Sequence, residues 1–179
     1  DLALAAESLE KVVELDADDV DAVRQLRAAY EAAESWDRLQ DVLVKELTLT
    51  GDESARRPLL IALGRNADER LGNPENAIEY YRQVHTADPR DAEAVGHLER
   101  LYTQTNRWFD LVEMLREYVE VLRAAGETGK VVSTLVQIAD VAQAHLMDAD
   151  LAVSALNSVL ESDANHLGAL TVLARLYEQ

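Results

Sequence analysis

Histidine is the first residue type to consider for chemistry, because imidazole binds zinc and transfers protons near neutral pH. The four histidines are His85, His97, His145 and His166. They form no HExxH pair, and none has a suitable second ligand three or four residues away. The chain also lacks cysteine, which excludes disulfides and thiolate chemistry. The sequence therefore predicts neither a metal site nor a cofactor.

Two short segments are similar to ligand-binding loops. The segment AGETGKV at 125–131 is similar to a phosphate-binding loop, but Ala124 stands where that loop needs glycine. Val131 also replaces the Ser or Thr that would hold magnesium. The segment DADDVD at 16–21 is similar to a calcium loop, but Arg27 stands where the bidentate Glu belongs. We interpret both segments as turns that join helices.

Carboxylates are the most abundant reactive groups. The chain has 34 acidic and 17 basic residues, a formal net charge of -17. A catalytic pair of carboxylates needs a shielded cleft, whereas acids spread over helices form a solvated face. No serine stands with a histidine and an acid at a spacing that suggests a nucleophile. We therefore predict that the protein is not an enzyme, and that its charge repels nucleic acid and anionic lipid.

The composition favours a chain built only from helices. It is 48% hydrophobic and 28% charged, with only 3 Pro and 7 Gly, and it is rich in good helix formers. No apolar run reaches the roughly 18 residues of a membrane span, so no membrane insertion is predicted. Strand patterns are absent.

The stretch AIEYYRQVHTADPRD shows the local unit. Ala77, Tyr81 and Val84 share one face of a helix because they are spaced by four and three residues. Pro89 ends that helix, since proline lacks the N–H that the next turn needs. Asp91 then caps the following helix. The unit is a helix, a tight turn and a second helix.

Landmark residues recur at fixed separations. Three pairs are 72 positions apart: Leu26 and Leu98, Tyr30 and Tyr102, and Trp36 and Trp108. Three further pairs are 75 positions apart: Ala77 and Ala152, Leu98 and Leu173, and Tyr102 and Tyr177. Two-helix repeats usually run about 34 to 47 residues, so each long period must hold two hairpins. We predict core packing for the recurring tyrosines and tryptophans.

Ten helices follow from these patterns. Their predicted bounds are 2–15, 19–33, 36–50, 53–71, 74–87, 91–105, 107–124, 127–146, 149–162 and 166–178. The joints between them are short and polar, which leaves no room for a linker. We predict one solenoid and not two domains.

The segment LGRNADERLGNPENAIEYYRQVHTADPRD resembles a tetratricopeptide repeat. It has the Leu-Gly of the first helix, the small residue Ala77 in the second helix, the aromatic Tyr81 four residues later, and the closing Pro89. Residues 92–125 resemble a further repeat, although Leu111 stands where the small residue belongs. The resemblance implies an all-α fold, a right-handed α-α superhelix of about ten antiparallel helices.

The repeats are unequal in pairs. Ala5, Ala77 and Ala152 occupy the small-residue position in alternate units, whereas Leu39 and Leu111 fill it between them. Packing should therefore alternate along the stack. This pattern is similar to bacterial tetratricopeptide arrays, which implies a cytoplasmic protein or, as an alternative, part of a periplasmic or envelope-associated one.

Both ends of the chain resemble half repeats. We expect residues 1–179 to be a single solenoid segment excised from a longer protein. The apolar residues left without a neighbouring helix are Leu2, Leu4, Leu9, Val12, Leu170, Leu173, Leu176 and Tyr177. Complete arrays end in polar caps, so we expect this chain to self-associate through an end.

The resemblance implies a protein–protein interaction scaffold whose concave groove binds a partner peptide or helix. The alternative is a spacer or regulatory arm of a larger enzyme or assembly, with no external ligand of its own. A pull-down distinguishes the two, because a spacer retains nothing specific. The packing positions of the repeat do not name a partner.

Arginines mark the predicted groove. Arg65, Arg100 and Arg175 stand at one repeat position, on the side that the family turns toward its groove, and Arg24 should project nearby. The alternative is that each arginine pairs with an acid of its own helix. The available acids are Asp68 and Glu69 for Arg65, Asp21 for Arg24, and Glu178 for Arg175.

Arg100 differs because no acid lies three or four residues from it. Gly96 should leave a dent beside this guanidinium, unless it serves close helix packing instead. We predict that Gly96, His97, Arg100 and Gln104 anchor an acidic side chain or a C-terminal carboxylate of a partner peptide.

Overall fold

The computed structural model describes the backbone of residues 2–178 and the side chains of residues 4–178. These residues form ten α-helices and no strand, which confirms the predicted all-α fold. The chain divides after Ala87 into two compact units. The first unit contains α1 Leu2–Leu15, α2 Val20–Ala32, α3 Trp36–Leu49, α4 Glu53–Arg65 and α5 Pro74–Ala87. The second contains α6 Ala92–Gln104, α7 Trp108–Ala124, α8 Thr128–Val141, α9 Ala149–Ser162 and α10 Leu167–Tyr177.

Within each unit, every helix packs against the helix before it and the helix after it in the chain. The joints are short because polar residues end one helix and begin the next. Asp19 accepts a hydrogen bond from Ala22 N at 2.9 Å and so caps α2. Asp91 caps α6 in the predicted way, accepting from Glu93 N and Ala94 N. The segment 16–21 is therefore a helix joint.

The segment 125–131 is also a helix joint. It contains the last residues before α8, and Gly126 adopts a left-handed φ of +73°. Glu127 N donates to Leu122 O at 3.0 Å, which closes the end of α7. The interpretation as a helix-joining turn is confirmed.

The first helices of two hairpins end differently from the prediction. Regular α-helix stops at Arg65 and at Val141, and one π-helical turn follows in each case, Asn66–Arg70 and Ala142–Leu146. Asn73 N donates to Ala67 O at 2.8 Å, six residues back. With this wider turn, the helical segments reach Arg70 and Leu146, close to the predicted ends at 71 and 146.

A left-handed residue follows each π-helical turn. Gly72 has a φ of +61°, and Met147 at the corresponding place in the second unit has a φ of +53°. Glycine reaches this conformation without steric strain, whereas methionine does not. The two hairpins therefore have the same geometry with different sequences at the tip.

The core of the α4/α5 hairpin lies around Gly64 and Tyr81. Tyr81 is 0% exposed, and a Cβ added to Gly64 would lie only 2.6 Å from its Cζ atom. At the positions 75 residues later, in the α8/α9 hairpin, the buried residues are Ala139 and Leu156. Gly64 therefore packs against the large Tyr81 ring in one hairpin, whereas the larger Ala139 accompanies the smaller Leu156 in the other. The two pairs compensate in size because protein interiors are filled at nearly constant density.

The tyrosine prediction is correct in two of three places. Tyr30 and Tyr102 are buried, whereas Tyr177 is exposed on α10. The ends also differ partly from expectation, since Leu173 is buried while Leu170 is exposed. Leu4 and Val12 are exposed as expected. The side chain of Leu2 lies outside the described residues.

Tyr30 joins α2 to α1 through a hydrogen bond. Its hydroxyl donates to a carboxylate oxygen of Glu10, and Arg38 Nη1 lies 3.1 Å from the same oxygen. Burial raises the pKa of Tyr30 above the ordinary 10.0, and the hydrogen bond and negative charge of Glu10 raise it further, while Arg38 opposes them. The folded state therefore holds this proton more tightly than the unfolded state does.

We predict a loss of stability in alkali that depends on Tyr30. Its contribution is complete below the unfolded pKa and falls as pH rises toward the higher folded pKa, because the unfolded chain loses the proton first. Tyr30→Phe should flatten the decline in the free energy of unfolding between about pH 9 and about pH 11, measured by urea titration. Tyr177→Phe, which removes an exposed hydroxyl, is the control and should leave the decline unchanged. An identical slope in wild type and Tyr30→Phe would contradict the linkage.

Candidate protein-binding site

Arg24, a predicted groove residue, is held by two acids. Its guanidinium lies 3.8 Å from Asp21 in the same helix, as the pairing alternative expected. It also lies 3.3 Å from Glu46 of α3, and the same carboxylate lies 2.9 Å from Arg27. Glu46 is only 4% exposed. Arg24 is therefore part of a structural ion cluster that fixes α2 to α3.

A pocket of about 260 Å³ opens between α2, α3 and the end of α4. Its walls are Arg27, Glu31, Trp36, Leu39, Leu43, Ala62, Arg65, Asn66, Glu69 and Arg70. Leu39 and Leu43 are apolar and buried, and charged side chains of both signs surround them. Three arginines against two glutamates give the lining a net charge of +1 in a chain of -17. Arg65 is the predicted site residue that the structure places here.

Asn66 is the most buried polar residue of the pocket, at 5% exposure. Its Nδ2 donates to Trp36 O at 2.9 Å and to Gln40 Oε1 at 2.8 Å. Its Oδ1 accepts no hydrogen bond from any described residue. A buried acceptor without a donor is costly, and because this oxygen is closed to solvent it belongs to the pocket wall and not to the surface that a partner would contact. Asn66 was not predicted as a pocket residue, and its only signal in the sequence is a polar side chain two positions after the Leu63-Gly64 pair.

An aromatic stack closes one side of the pocket. The guanidinium of Arg70 lies 4.5 Å from the centroid of the Trp36 ring. At the corresponding place in the second unit, the rings of Trp108 and His145 stack with centroids 3.6 Å apart. A residue of the π-helical turn thus covers the tryptophan in both hairpins, in agreement with the predicted packing role. Arg70 therefore lies over the ring while its side chain remains exposed.

The four residues predicted to anchor a carboxylate lie on α6 in the second unit. Gly96 is exposed, and a Cβ added there would meet nothing within 4 Å. Close helix packing is therefore not the role of this glycine, and the alternative reading was wrong. The guanidinium of Arg100 has a hydrogen-bond partner in its own helix, since its Nη1 donates to Gln104 Oε1 at 2.9 Å. His97 is half-buried on the same helix.

The alternative in which Arg175 pairs with Glu178 of its own helix is wrong. Its Nη2 donates to Gln143 Oε1 at 3.5 Å, across to the turn after α8, and not to Glu178. Arg175 is therefore placed by the neighbouring hairpin. A contact between residues 32 positions apart cannot be read from helical spacing within one helix.

The side chains that line the first-unit pocket are arginines, glutamates, one asparagine and apolar residues. The described residues contain no group of three or more side chains that could hold a metal ion. None of the helices in that part of the chain is long and apolar enough to cross a membrane. What the pockets offer is guanidinium groups and apolar floors, which suit recognition of a protein segment.

Comparisons with known proteins agree with this fold. Residues 59–91 match the sequence model of the tetratricopeptide repeat. YrrB, described as a tetratricopeptide protein with an unusual peptide-binding site, superposes with a TM-score of 0.52 at 17% identity, over 96% of this chain and 82% of its own. A structure of MamA superposes with a TM-score of 0.51 at 15% identity, over 94% of this chain and 92% of its own. No curated protein matches in sequence.

The fold and the repeat spacing define a class of helical-hairpin scaffold proteins. Residues 59–91 match the tetratricopeptide repeat, and the chain shares its fold with solved tetratricopeptide repeat proteins. At these identities the solved structures show the shared fold and do not assign a partner.

Proposed function

We propose that the protein is an interaction scaffold that binds an extended partner peptide in the pocket between α2, α3 and α4. The tetratricopeptide fold is that of a protein–protein interaction scaffold in general. The single observation that supports a site here is the open pocket itself, which the exposed Arg65 lines together with the apolar Leu39 and Leu43.

The walls of the pocket specify the peptide further. Leu39 and Leu43 provide an apolar floor for one side chain of the partner. Arg65 is exposed at the rim, where it can bind a carboxylate next to that side chain. The peptide therefore combines an apolar residue with an acidic group. YrrB, which shares the fold, has an unusual peptide-binding site, and this supports a peptide ligand here.

The α6 cluster of Gly96, His97, Arg100 and Gln104 is a second proposed contact. Arg100 would exchange its hydrogen bond with Gln104 for a bidentate pair with an acidic side chain or C-terminal carboxylate. The open space beside Gly96 leaves room for that group. A spacer or regulatory arm without an external ligand is the alternative, and self-association through the exposed Leu170 and Tyr177 of α10 is a further proposal.

The experiment selects peptides from a displayed random library on the full chain and measures their affinities by titration calorimetry. Arg65→Glu should weaken the selected peptides at least about tenfold and reduce the salt dependence of binding. Arg100→Glu tests the α6 contact in the same way. Arg90→Glu, the same charge change at an exposed turn residue outside the pocket, is the control and should have little effect.

The outcomes separate the proposals. A loss with Arg65→Glu alone supports the pocket and removes the α6 contact, and a loss with Arg100→Glu alone does the reverse. If all three variants bind as wild type, or if no peptide is selected, the groove proposal is wrong and the spacer alternative is favoured.

A further inference from the structure

An apolar trough lies on α7 and α9 of the second unit. It has a volume of about 510 Å³ and is lined by Phe109, Val112, Glu113, Arg116, Glu117, Leu146, Asp148 and Leu151. Phe109 is 76% exposed, although phenylalanine is among the most costly side chains to leave in water. The side chains of Val112 and Leu151 continue the apolar surface beneath it. The trough is distinct from the pocket of the first unit in its residues and in its charge.

Comparison between repeats shows that the hairpin does not need these apolar residues for folding. Phe109 corresponds to Asp37 at the 72-residue separation, and Met147 beside the trough corresponds to Gly72 at the 75-residue separation. In the first unit, Asp37 stands in the first turn of α3, and Gly72 has a φ of +61° in the joint before α5. The second unit instead exposes a phenylalanine, and a methionine with a φ of +53°. Exposed apolar residues and a strained backbone at one hairpin end are typical of a binding surface.

The walls of the trough decide which partner conformation fits. They are the sides of α7 and α9, whose backbone groups are hydrogen-bonded within each helix. An extended peptide would find only side chains, and no backbone groups, as partners for its own backbone there. A helical segment satisfies its own backbone and can place apolar side chains three and four residues apart along the trough.

The charged residues around the trough indicate the charge that a complementary partner would have. Glu113, Glu117 and Asp148 are acidic and Arg116 is basic, a net charge of -2. The charge of -17 on the whole chain acts in the same direction and attracts cationic segments. The lining of the first-unit pocket has the opposite sign.

We propose that this trough binds an amphipathic helix of a partner protein whose apolar face is flanked by Lys and Arg. Phe109, Val112 and Leu151 contact the apolar face, and the three carboxylates contact the flanking cations. This surface is additional to the peptide pocket and does not depend on it.

The test uses two synthetic helical peptides and the full chain. One has leucines spaced to form a single face and lysines on the flanks, and the other has glutamates in place of the lysines. Saturable binding of the lysine peptide is expected, with at least about tenfold weaker binding of the glutamate peptide. Phe109→Asp, which installs the residue of the corresponding first-unit position, should weaken the lysine peptide at least about tenfold.

Two controls locate the effect. Leu167→Asp makes the same kind of change on α10, outside the trough, and should leave the affinity unchanged. Arg65→Glu changes the first-unit pocket and should also leave it unchanged, so that this proposal and the peptide pocket can fail separately. Met147→Gly serves as a second variant that keeps the hairpin geometry of Gly72 and should reduce binding by a smaller factor.

Three results overturn the proposal. One is the absence of saturable binding of the lysine peptide below about 1 mM. Another is equal binding of the glutamate peptide. The third is an equal loss of affinity in Phe109→Asp and Leu167→Asp, which indicates general adsorption to exposed apolar surface.

Discussion

Gly64→Ala is expected to lower the free energy of unfolding by about 2 to 3 kcal/mol, although alanine is the better helix former by about 1 kcal/mol. The new Cβ would lie 2.6, 2.8 and 2.9 Å from three ring atoms of Tyr81. Tyr81 is completely buried, so its ring cannot move aside without displacing neighbouring helices. Urea titration of the variant measures the loss directly.

A second substitution tests the cause. Tyr81→Leu removes the ring atoms and, together with Gly64→Ala, reproduces the Ala139 and Leu156 pair of the α8/α9 hairpin. The double variant should be more stable than the two single changes predict, by about 1 kcal/mol or more. Strict additivity would rule out the steric explanation.

Gly96→Ala is the matched control for this pair. It is the same substitution inside a helix, and its Cβ meets nothing within 4 Å. Helix propensity alone then applies, so the free energy of unfolding should rise by up to about 1 kcal/mol. Opposite signs at positions 64 and 96 are the expected result.

The second large effect concerns the buried carboxylate of Glu46. Arg24→Ala combined with Arg27→Ala is expected to lower the free energy of unfolding by about 3 kcal/mol, because it leaves this carboxylate buried without a cation. The guanidinium groups are 54% and 35% exposed, so removing one of them should cost much less while the other remains. Chemical denaturation of the single and double variants gives these values.

Adding Glu46→Leu to the double variant provides the control. An apolar side chain of similar size removes the unpaired charge, so most of the lost stability should return. Arg123→Ala, which breaks an exposed pair with Glu120, should cost less than about 1 kcal/mol. If the triple variant is no more stable than the double one, loss of arginine packing and not the orphaned charge explains the effect.

Local patterns predicted the helices well. The apolar stripe of Ala77 and Tyr81, the stop before Pro89 and the cap at Asp91 all depend on residues within about one or two turns of each other. These signals lie within one short segment, so they can be recognised without knowing how the rest of the chain folds. The helix bounds therefore follow from sequence to within a few residues, except where the π-helical turns replace the final α-helical turn of α4 and α8.

The candidate sites were predicted less completely. Arg65 was placed by its repeat position, but the pocket around it also needs Trp36 and Leu43 from α3 and Arg27 from α2. Glu46 stands on the apolar stripe of α3, yet only the approach of two arginines from α2 explains why a carboxylate is tolerated there. Arg100 has no acid three or four residues away, but it donates a hydrogen bond to the neutral Gln104 four residues along the same helix.

The amino-acid sequence by itself determined the all-helical class, the 72- and 75-residue spacing and the resemblance to tetratricopeptide repeats, because each rests on short-range periodicity. Only the tertiary structure decided which polar groups are buried without a partner and which apolar groups stay in water. Asn66 and Phe109 show the difference: burial depends on helices brought together from 20 to 40 positions away, and no spacing within one helix reports it.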